Sequence, residues 1–305
     1  MNIMRRTVLA VADNARVAGF FRSSRLARKL VSRFVAGETV ETALAAAKDL
    51  DARNITTTLD LLGENVSTAG EAAAAVESYT AILRAMRAAN LEPNISVKLT
   101  MLGLDFGAEI ARANAAAILD VAREVGGFVR IDMEGSAYTA VTMEVFEALH
   151  AAWPDEAGIV IQSYLRRAEA DVRRAIELGA RVRLVKGAYA EPESVAFTSR
   201  LEVDEQFARL ARLLLDEGHY PAIATHDLDL VRATIEHAQR YRIASERFEF
   251  QMLYGVRRDL QDRLVTDGYR MRVYVPYGTE WYPYFTRRIA ERPANALFVV
   301  RQLWD

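Results

Sequence analysis

The chain of 305 residues contains no cysteine. Disulfides, iron–sulfur clusters and thiolate zinc sites are therefore excluded, and the absence fits a reducing compartment. Histidine is scarce too, limited to His150, His219, His226 and His237. No His-x-His or His-Glu-x-x-His pattern occurs, so a metal hydrolase is not expected and no metal ligand is assigned. A strong charge of one sign is missing. The net charge of −2 gives no global field that would recruit nucleic acid. No apolar run reaches the roughly 18 residues that a membrane span requires. The opening MNIMRRTVLAVADNAR has a short apolar stretch, but Asp13, Asn14 and Arg16 interrupt it too early for a secretory signal. No Pro/Gly-rich linker divides the sequence.

What is present is an ordinary globular balance, 51% hydrophobic and 26% charged. The length is typical of a single α/β barrel. Up to about Gly37 the chain is basic, with Arg5, Arg6, Arg16, Arg22, Arg25, Arg28, Lys29 and Arg33 against Asp13. Leu26, Leu30 and Phe34 recur there at helical spacing. This pattern suits either a membrane-surface helix or a helix packed on the main domain, and the second reading is favoured.

From Asn54 onward a repeating unit emerges. Short β-rich runs cover Ile55–Asp60, Ile95–Thr100, Phe128–Met133, Ile159–Ser163, Val182–Lys186, Ala222–His226, Phe248–Leu253 and Met271–Pro276. Their spacing of roughly thirty residues is that of a strand plus a crossover helix. Between them Ala108–Val125, Leu165–Leu178 and Leu228–Tyr241 carry helical periodicity. An open doubly wound sheet would be expected to show a Gly-x-Gly-x-x-Gly turn, and none is present. The fold expected is an α/β protein, a (β/α)8 TIM-type barrel over residues 54–305, preceded by a helical segment over residues 1–53 packed on it.

Catalytic groups of such barrels sit at the C-terminal strand ends. Here those ends carry Asp60, Lys98, Asp132 with Glu134, Gln162, Arg183 with Lys186, Thr225-His226, Gln251 and Tyr274. A charge within a β-run is costly unless it is paired or faces a ligand, and Lys98, Asp132 and Arg183 stand in that position. After the last run, Pro276-Tyr277-Gly278-Thr279 reads as a turn with a helix starting at Thr279. On that helix Tyr284, Arg287, Arg288 and Glu291 share one face. Two adjacent guanidinium groups beside a phenol suit a small carboxylic acid. A solvated face with an Arg287–Glu291 pair is the plainer alternative. A Schiff-base lyase using Lys98 or Lys186, or a non-catalytic amino-acid-binding barrel, also fits the residues alone.

Several segments resemble the proline dehydrogenase family: Ser96-Val97-Lys98-Leu99-Thr100, Val129-Arg130-Ile131-Asp132-Met133-Glu134 and Arg183-Leu184-Val185-Lys186-Gly187-Ala188-Tyr189. So do Ala224-Thr225-His226-Asp227, Phe250-Gln251-Met252-Leu253-Tyr254-Gly255 and Tyr274-Val275-Pro276-Tyr277-Gly278, together with Tyr284…Arg287-Arg288. The resemblance implies a distorted barrel, with the final helix over its mouth, that holds FAD non-covalently. It implies oxidation of L-proline to Δ1-pyrroline-5-carboxylate by hydride transfer to the flavin N5, the first step of proline catabolism. A membrane quinone would take the electrons. A pyrroline-5-carboxylate dehydrogenase would take the product. The chain looks like the monofunctional bacterial form. A cytoplasmic location is implied, with peripheral contact at the inner face of the cell membrane through the basic N-terminal segment.

Residue by residue, the resemblance gives Asp132 and Arg183 catalytic roles. Arg287 and Arg288 would bind the proline carboxylate with Lys98 nearby, and Leu253, Tyr274 and Tyr284 would surround the pyrrolidine ring. Arg183 and Gln162 would contact the flavin ring. Met133, Lys186, Gly187, Ala188, Thr225 and His226 would complete the cofactor site. The sequence Ala190-Glu191-Pro192 departs from the tryptophan that bifunctional relatives place after the tyrosine, so the grip on the adenine end is expected to differ. Retention of Tyr274 implies a preference for proline over 4-hydroxyproline.

Overall fold

A computed structural model describes the backbone of residues 31–291 and the side chains of residues 31–286. Eight strands close into a parallel barrel in chain order. They are β1 (Thr56–Leu61), β2 (Asn94–Val97), β3 (Phe128–Ile131), β4 (Ala157–Gln162), β5 (Arg181–Val185), β6 (Ala222–Ala224), β7 (Glu249–Leu253) and β8 (Met271–Tyr277). Closure is made by β8 pairing with β1, in register from Thr56↔Arg272 to Leu61↔Tyr277. The expected (β/α)8 barrel is thus the observed one.

Helix α1 (Val40–Asp51) begins at a capping box in which Thr39 and Thr42 hydrogen-bond each other's backbone N–H. It buries Ala43, Ala46, Ala47 and Leu50, and it packs on β1 and β8. The crossovers are α2 (Ala69–Ala88), α3 (Ala108–Val125), α4 (Ser136–His150), α5 (Ala168–Glu177), α6 (Arg200–Glu217), α7 (Leu228–Arg240) and α8 (Arg258–Thr266). Their apolar faces meet outward-facing strand residues such as Val129, Ile131, Val182 and Leu184, all essentially fully buried. The main core is therefore the ring between sheet and helices.

Some runs stop short of the expected span. The run expected over Ile95–Thr100 leaves the sheet at Val97, and Leu99–Leu102 forms a 3-10 turn instead. Glu134 accounts for this, because its carboxylate accepts the Thr100 backbone N–H at 3.1 Å and the Thr100 hydroxyl at 2.6 Å. A side chain has replaced the strand ladder as partner.

The last helix, α9 (Trp281–Glu291), starts two residues later than Thr279. It is held by a second apolar cluster of Val31, Phe34, Val35, Leu62, Val256, Trp281, Tyr284 and Phe285. The segment before α1 is its other support. Trp281 Nε1 donates to Glu38 at 3.1 Å, Gly278 N–H to the Gly37 carbonyl at 3.0 Å, and Ala36 N–H to the Pro276 carbonyl at 2.8 Å. The basic stretch through residue 30, and with it the lipid-binding question, lies outside the described residues.

Candidate active site

A cleft of about 1000 Å³ opens at the C-terminal ends of the strands. All eight strand ends contribute to it, and Pro283 and Tyr284 of α9 wall one side. Lys98, Asp132, Met133, Gln162, Arg183, Lys186, Gly187, Ala188, Thr225, His226, Leu253, Tyr274 and Tyr284 all line this one space. Arg287 and Arg288 are carried by α9, but their side chains lie outside the described residues.

Asp132 is the junction of the floor. Its Oδ1 accepts from Arg183 Nη1 at 2.9 Å and from Ser96 Oγ at 3.2 Å. Its Oδ2 accepts from the Tyr274 phenol at 2.8 Å. Both oxygens are thereby fixed, and the carboxylate plane with them. Arg183 is equally constrained: Nη1 also donates to Ser96 Oγ at 2.9 Å, and Nε donates to Gln251 Oε1 at 2.6 Å. Arg183 Nη2 is buried with no hydrogen-bond partner among the described residues. A buried charged donor without a partner is costly, so this guanidinium is held in place by its other bonds rather than by optimal satisfaction of every N–H.

Lys98 lies beside this junction, 3.1 Å from Asp60 Oδ1 and 4.0 Å from Asp132 Oδ2. Burial alone would lower its pKa, but Asp60 and then Asp132 outweigh it and hold the ammonium above the usual lysine range. Burial pushes the Asp60 carboxyl upward against the pull of Lys98. Two carboxylates face the one ammonium, and Lys98 is cationic. Also in the cleft lining, Lys186 Nζ contacts Asp227 at 3.0 Å and Asp204 at 2.5 Å. Each lysine faces two carboxylates, the opposite of the apolar, charge-poor pocket that activates a Schiff-base lysine.

Further features fix the cofactor-side residues. Gln162 Nε2 donates to the Glu134 carbonyl at 2.8 Å. His226 Nε2 accepts the Leu253 backbone N–H at 2.9 Å, so the neutral ring carries its proton on Nδ1. Gly187 has φ +121°, and a Cβ there would run into the Tyr164 ring. The glycine is thus demanded by packing as well as by backbone conformation.

Asp60 and Gln251 were named above only as polar strand ends, and Ser96 only within a family-like segment, and none was assigned a role. A serine in a strand is unremarkable until Arg183 and Asp132 are seen to meet across it.

The sequence profile described as "Proline dehydrogenase" matches residues 43–301. "Proline dehydrogenase 1" of Bacillus subtilis strain 168 is 40% identical over 301 residues, 98% of either chain. "Proline dehydrogenase" of Deinococcus radiodurans is 40% identical over 303 residues, covering 98% of this chain and 97% of that one. Among solved structures, proline utilization A from Bdellovibrio bacteriovorus, inactivated by N-propargylglycine, superposes with a TM-score of 0.83 at 27% identity. It covers 94% of this chain, which in turn spans 36% of that longer one. Identity of this extent over whole chains, with a profile match across the barrel, shows that the chain belongs to the proline dehydrogenase family of oxidoreductases.

Proposed function

We propose that the cleft holds FAD non-covalently beside L-proline, and that the chain oxidises proline to Δ1-pyrroline-5-carboxylate. The observation that carries this reading is the Asp132 junction, where Arg183, Ser96, Tyr274 and Lys98 converge in one buried network. The residues suit the cofactor. Arg183 and Gln162 line the cleft where a planar ring could lie, and Lys186, also in its lining, can meet an anionic chain. Met133, Gly187, Ala188, Thr225 and His226 would line the remainder. Bound FAD would supply the two-electron acceptor that no side chain can provide.

The chain's own residues would bind, orient and exclude water. Lys98 and, from the sequence, Arg287 and Arg288 present cations to the proline carboxylate. Tyr274, Leu253 and Tyr284 wall the ring. A two-point hold on the carboxylate with walls on the ring fixes which C–H faces the acceptor, and orientation of this kind lowers the barrier without acid–base chemistry. Asp132 keeps Arg183 and Tyr274 in place and balances the cations. Helix α9, anchored by the fully buried Phe285, covers the reacting groups from water.

Electron transfer to a membrane quinone and passage of product to a pyrroline-5-carboxylate dehydrogenase belong to the same proposal. "Bifunctional protein PutA" of Escherichia coli is 30% identical over 90% of this chain, which covers 24% of that protein. A fused relative supports the idea of a sequential partner. Among the described residues no helix is long and apolar enough to cross a membrane.

The test is the visible spectrum of the purified protein before and after anaerobic addition of L-proline. A flavin band that bleaches supports the reading. A flavin band indifferent to proline overturns the substrate, and a protein that stays colourless after incubation with FAD overturns the cofactor.

A further inference from the structure

Beneath the cleft the barrel interior holds a continuous polar column. Arg272 Nη2 meets Glu92 at 2.9 Å and its Nη1 donates to the Thr57 carbonyl at 2.9 Å. Its Nε lies 3.0 Å and 3.1 Å from the two oxygens of Glu249. Glu249 Oε1 accepts Gln251 Nε2 at 2.5 Å, and Gln251 Oε1 accepts Arg183 Nε at 2.6 Å. Glu249 is 2% exposed and does not line the cleft.

The chemistry of this column is directional. An arginine Nε–H can only donate, and a carboxylate can only accept. The Gln251 amide between them can satisfy both in one orientation alone, with oxygen toward Arg183 and nitrogen toward Glu249. Glu249 is ionised in place. Burial pushes its carboxyl up, but Arg272 and the hydrogen bonds from Gln251 and Arg272 bring it below the usual carboxylate range. It also compensates a cation-rich interior. Among the described residues Arg130, 2% exposed, has no carboxylate within salt-bridge distance.

We propose that Glu249 is a positioning residue, which fixes the Gln251 amide and through it sets the orientation of the Arg183 guanidinium in the cleft wall. The assignment rests on the proline- and FAD-binding reading above. Without the carboxylate, Gln251 loses the partner that dictates its orientation. It can then turn its own donors on Arg183, and the guanidinium is no longer held from that side.

Two variants test this. In Glu249→Gln, Arg272 and Gln251 compete for one amide oxygen. The double variant Glu249→Gln with Gln251→Glu restores a consistent order: Arg272 donates to the new amide oxygen, the new amide nitrogen donates to residue 251, and Arg183 donates to residue 251. It also keeps the interior charge. FAD content per chain, the flavin midpoint potential, kcat and KM for proline are measured on all three proteins. The single variant is expected to lose about tenfold or more in kcat with a much smaller change in KM, and to shift the midpoint potential. The double variant is expected to recover FAD content and most of kcat. A single variant with wild-type kcat and potential would overturn the proposal. So would a folded double variant no better than the single one. If the single variant does not fold, the double one decides: recovery of a flavin-loaded, active protein supports positioning, and failure of both assigns Glu249 a purely structural role. Failure of the underlying reading is recognised separately, because wild-type protein would then not bleach with proline.

Discussion

The Tyr274 phenol donates to Asp132 Oδ2 at 2.8 Å while its ring lies under the Arg183 guanidinium, 5.2 Å from centroid to Cζ. Burial first, then the Asp132 and Asp60 carboxylates, push this phenol well above the usual tyrosine range, so it remains a donor at every pH the protein tolerates. One side chain thus both walls the substrate space and holds the carboxylate that holds Arg183. Tyr274→Phe keeps the wall and removes the hold. We expect kcat/KM for proline to fall about tenfold, the worth of one hydrogen bond to a charged group, with FAD content unchanged. Loss of FAD in this variant would contradict the assignment of Tyr274 to the substrate side.

Lys98 is expected to set no alkaline limit on turnover. Its folded pKa is raised above the unfolded value of about 10.4. The stability it contributes is therefore full below that value and is lost only as pH rises through the higher folded value. Proline oxidation itself should quicken from neutral pH upward, since the substrate amine must be neutral to release a hydride. A rate that stays flat or falls between pH 7 and about 9 would contradict this account. Lys98→Met leaves Asp60, 1% exposed, without its ammonium partner. Breaking a buried pair on one side costs about 3–5 kcal/mol, and adding Asp60→Asn should recover part of it in denaturant unfolding.

The barrel could be read in the sequence because its signal is repetition, strand and helix alternating eight times with apolar strand residues toward the helices. The cleft residues could be read because a charge in a strand demands a partner or a ligand, and Lys98, Asp132 and Arg183 stand among polar groups at the same end of successive strands. Cross-barrel partners were not legible. Nothing in spacing says that Gln251 on β7 reaches Arg183 on β5, or that Glu249 two residues earlier orients it. Nor does periodicity reveal that Glu134 draws Thr100 out of the sheet. Such bonds depend on barrel closure, which joins residues far apart in sequence.

Gly187→Ala should damage the cofactor end of the cleft. A methyl group there meets the Tyr164 ring at a φ of +121°. Overpacking and backbone strain each cost about 1–3 kcal/mol. The loop from Lys186 onward would have to move, and we expect reduced FAD retention on gel filtration with a lowered Tm. Full retention would show that this loop does not grip the cofactor.

Arg288→Lys tests the carboxylate clamp, whose side chains lie outside the described residues. Lysine keeps the charge and loses the bidentate fork. KM for proline should rise much more than FAD affinity falls. Loss of flavin instead would assign the helix to the cofactor.

Gly255→Ala tests whether the segment before α1 governs the closing helix. At Gly255 φ is +72°, and a Cβ would overlap the Arg33 carbonyl oxygen. A backbone oxygen cannot step aside as a flexible side chain can, so the segment from Val31 to Glu38 would be displaced. That segment supplies Phe34, whose ring centroid lies 6.4 Å from that of Phe285, and Glu38, which accepts from Trp281. Both contacts anchor α9, and α9 carries Tyr284, Arg287 and Arg288. Loosening the anchor should reduce the fraction of molecules with the helix closed, and apparent affinity falls in proportion to that fraction. We expect KM for proline to rise several-fold while FAD content stays near that of the unaltered protein, because the cofactor side is built on β3 to β6. A lowered Tm with unchanged KM would mean that the segment stabilises the barrel without controlling closure.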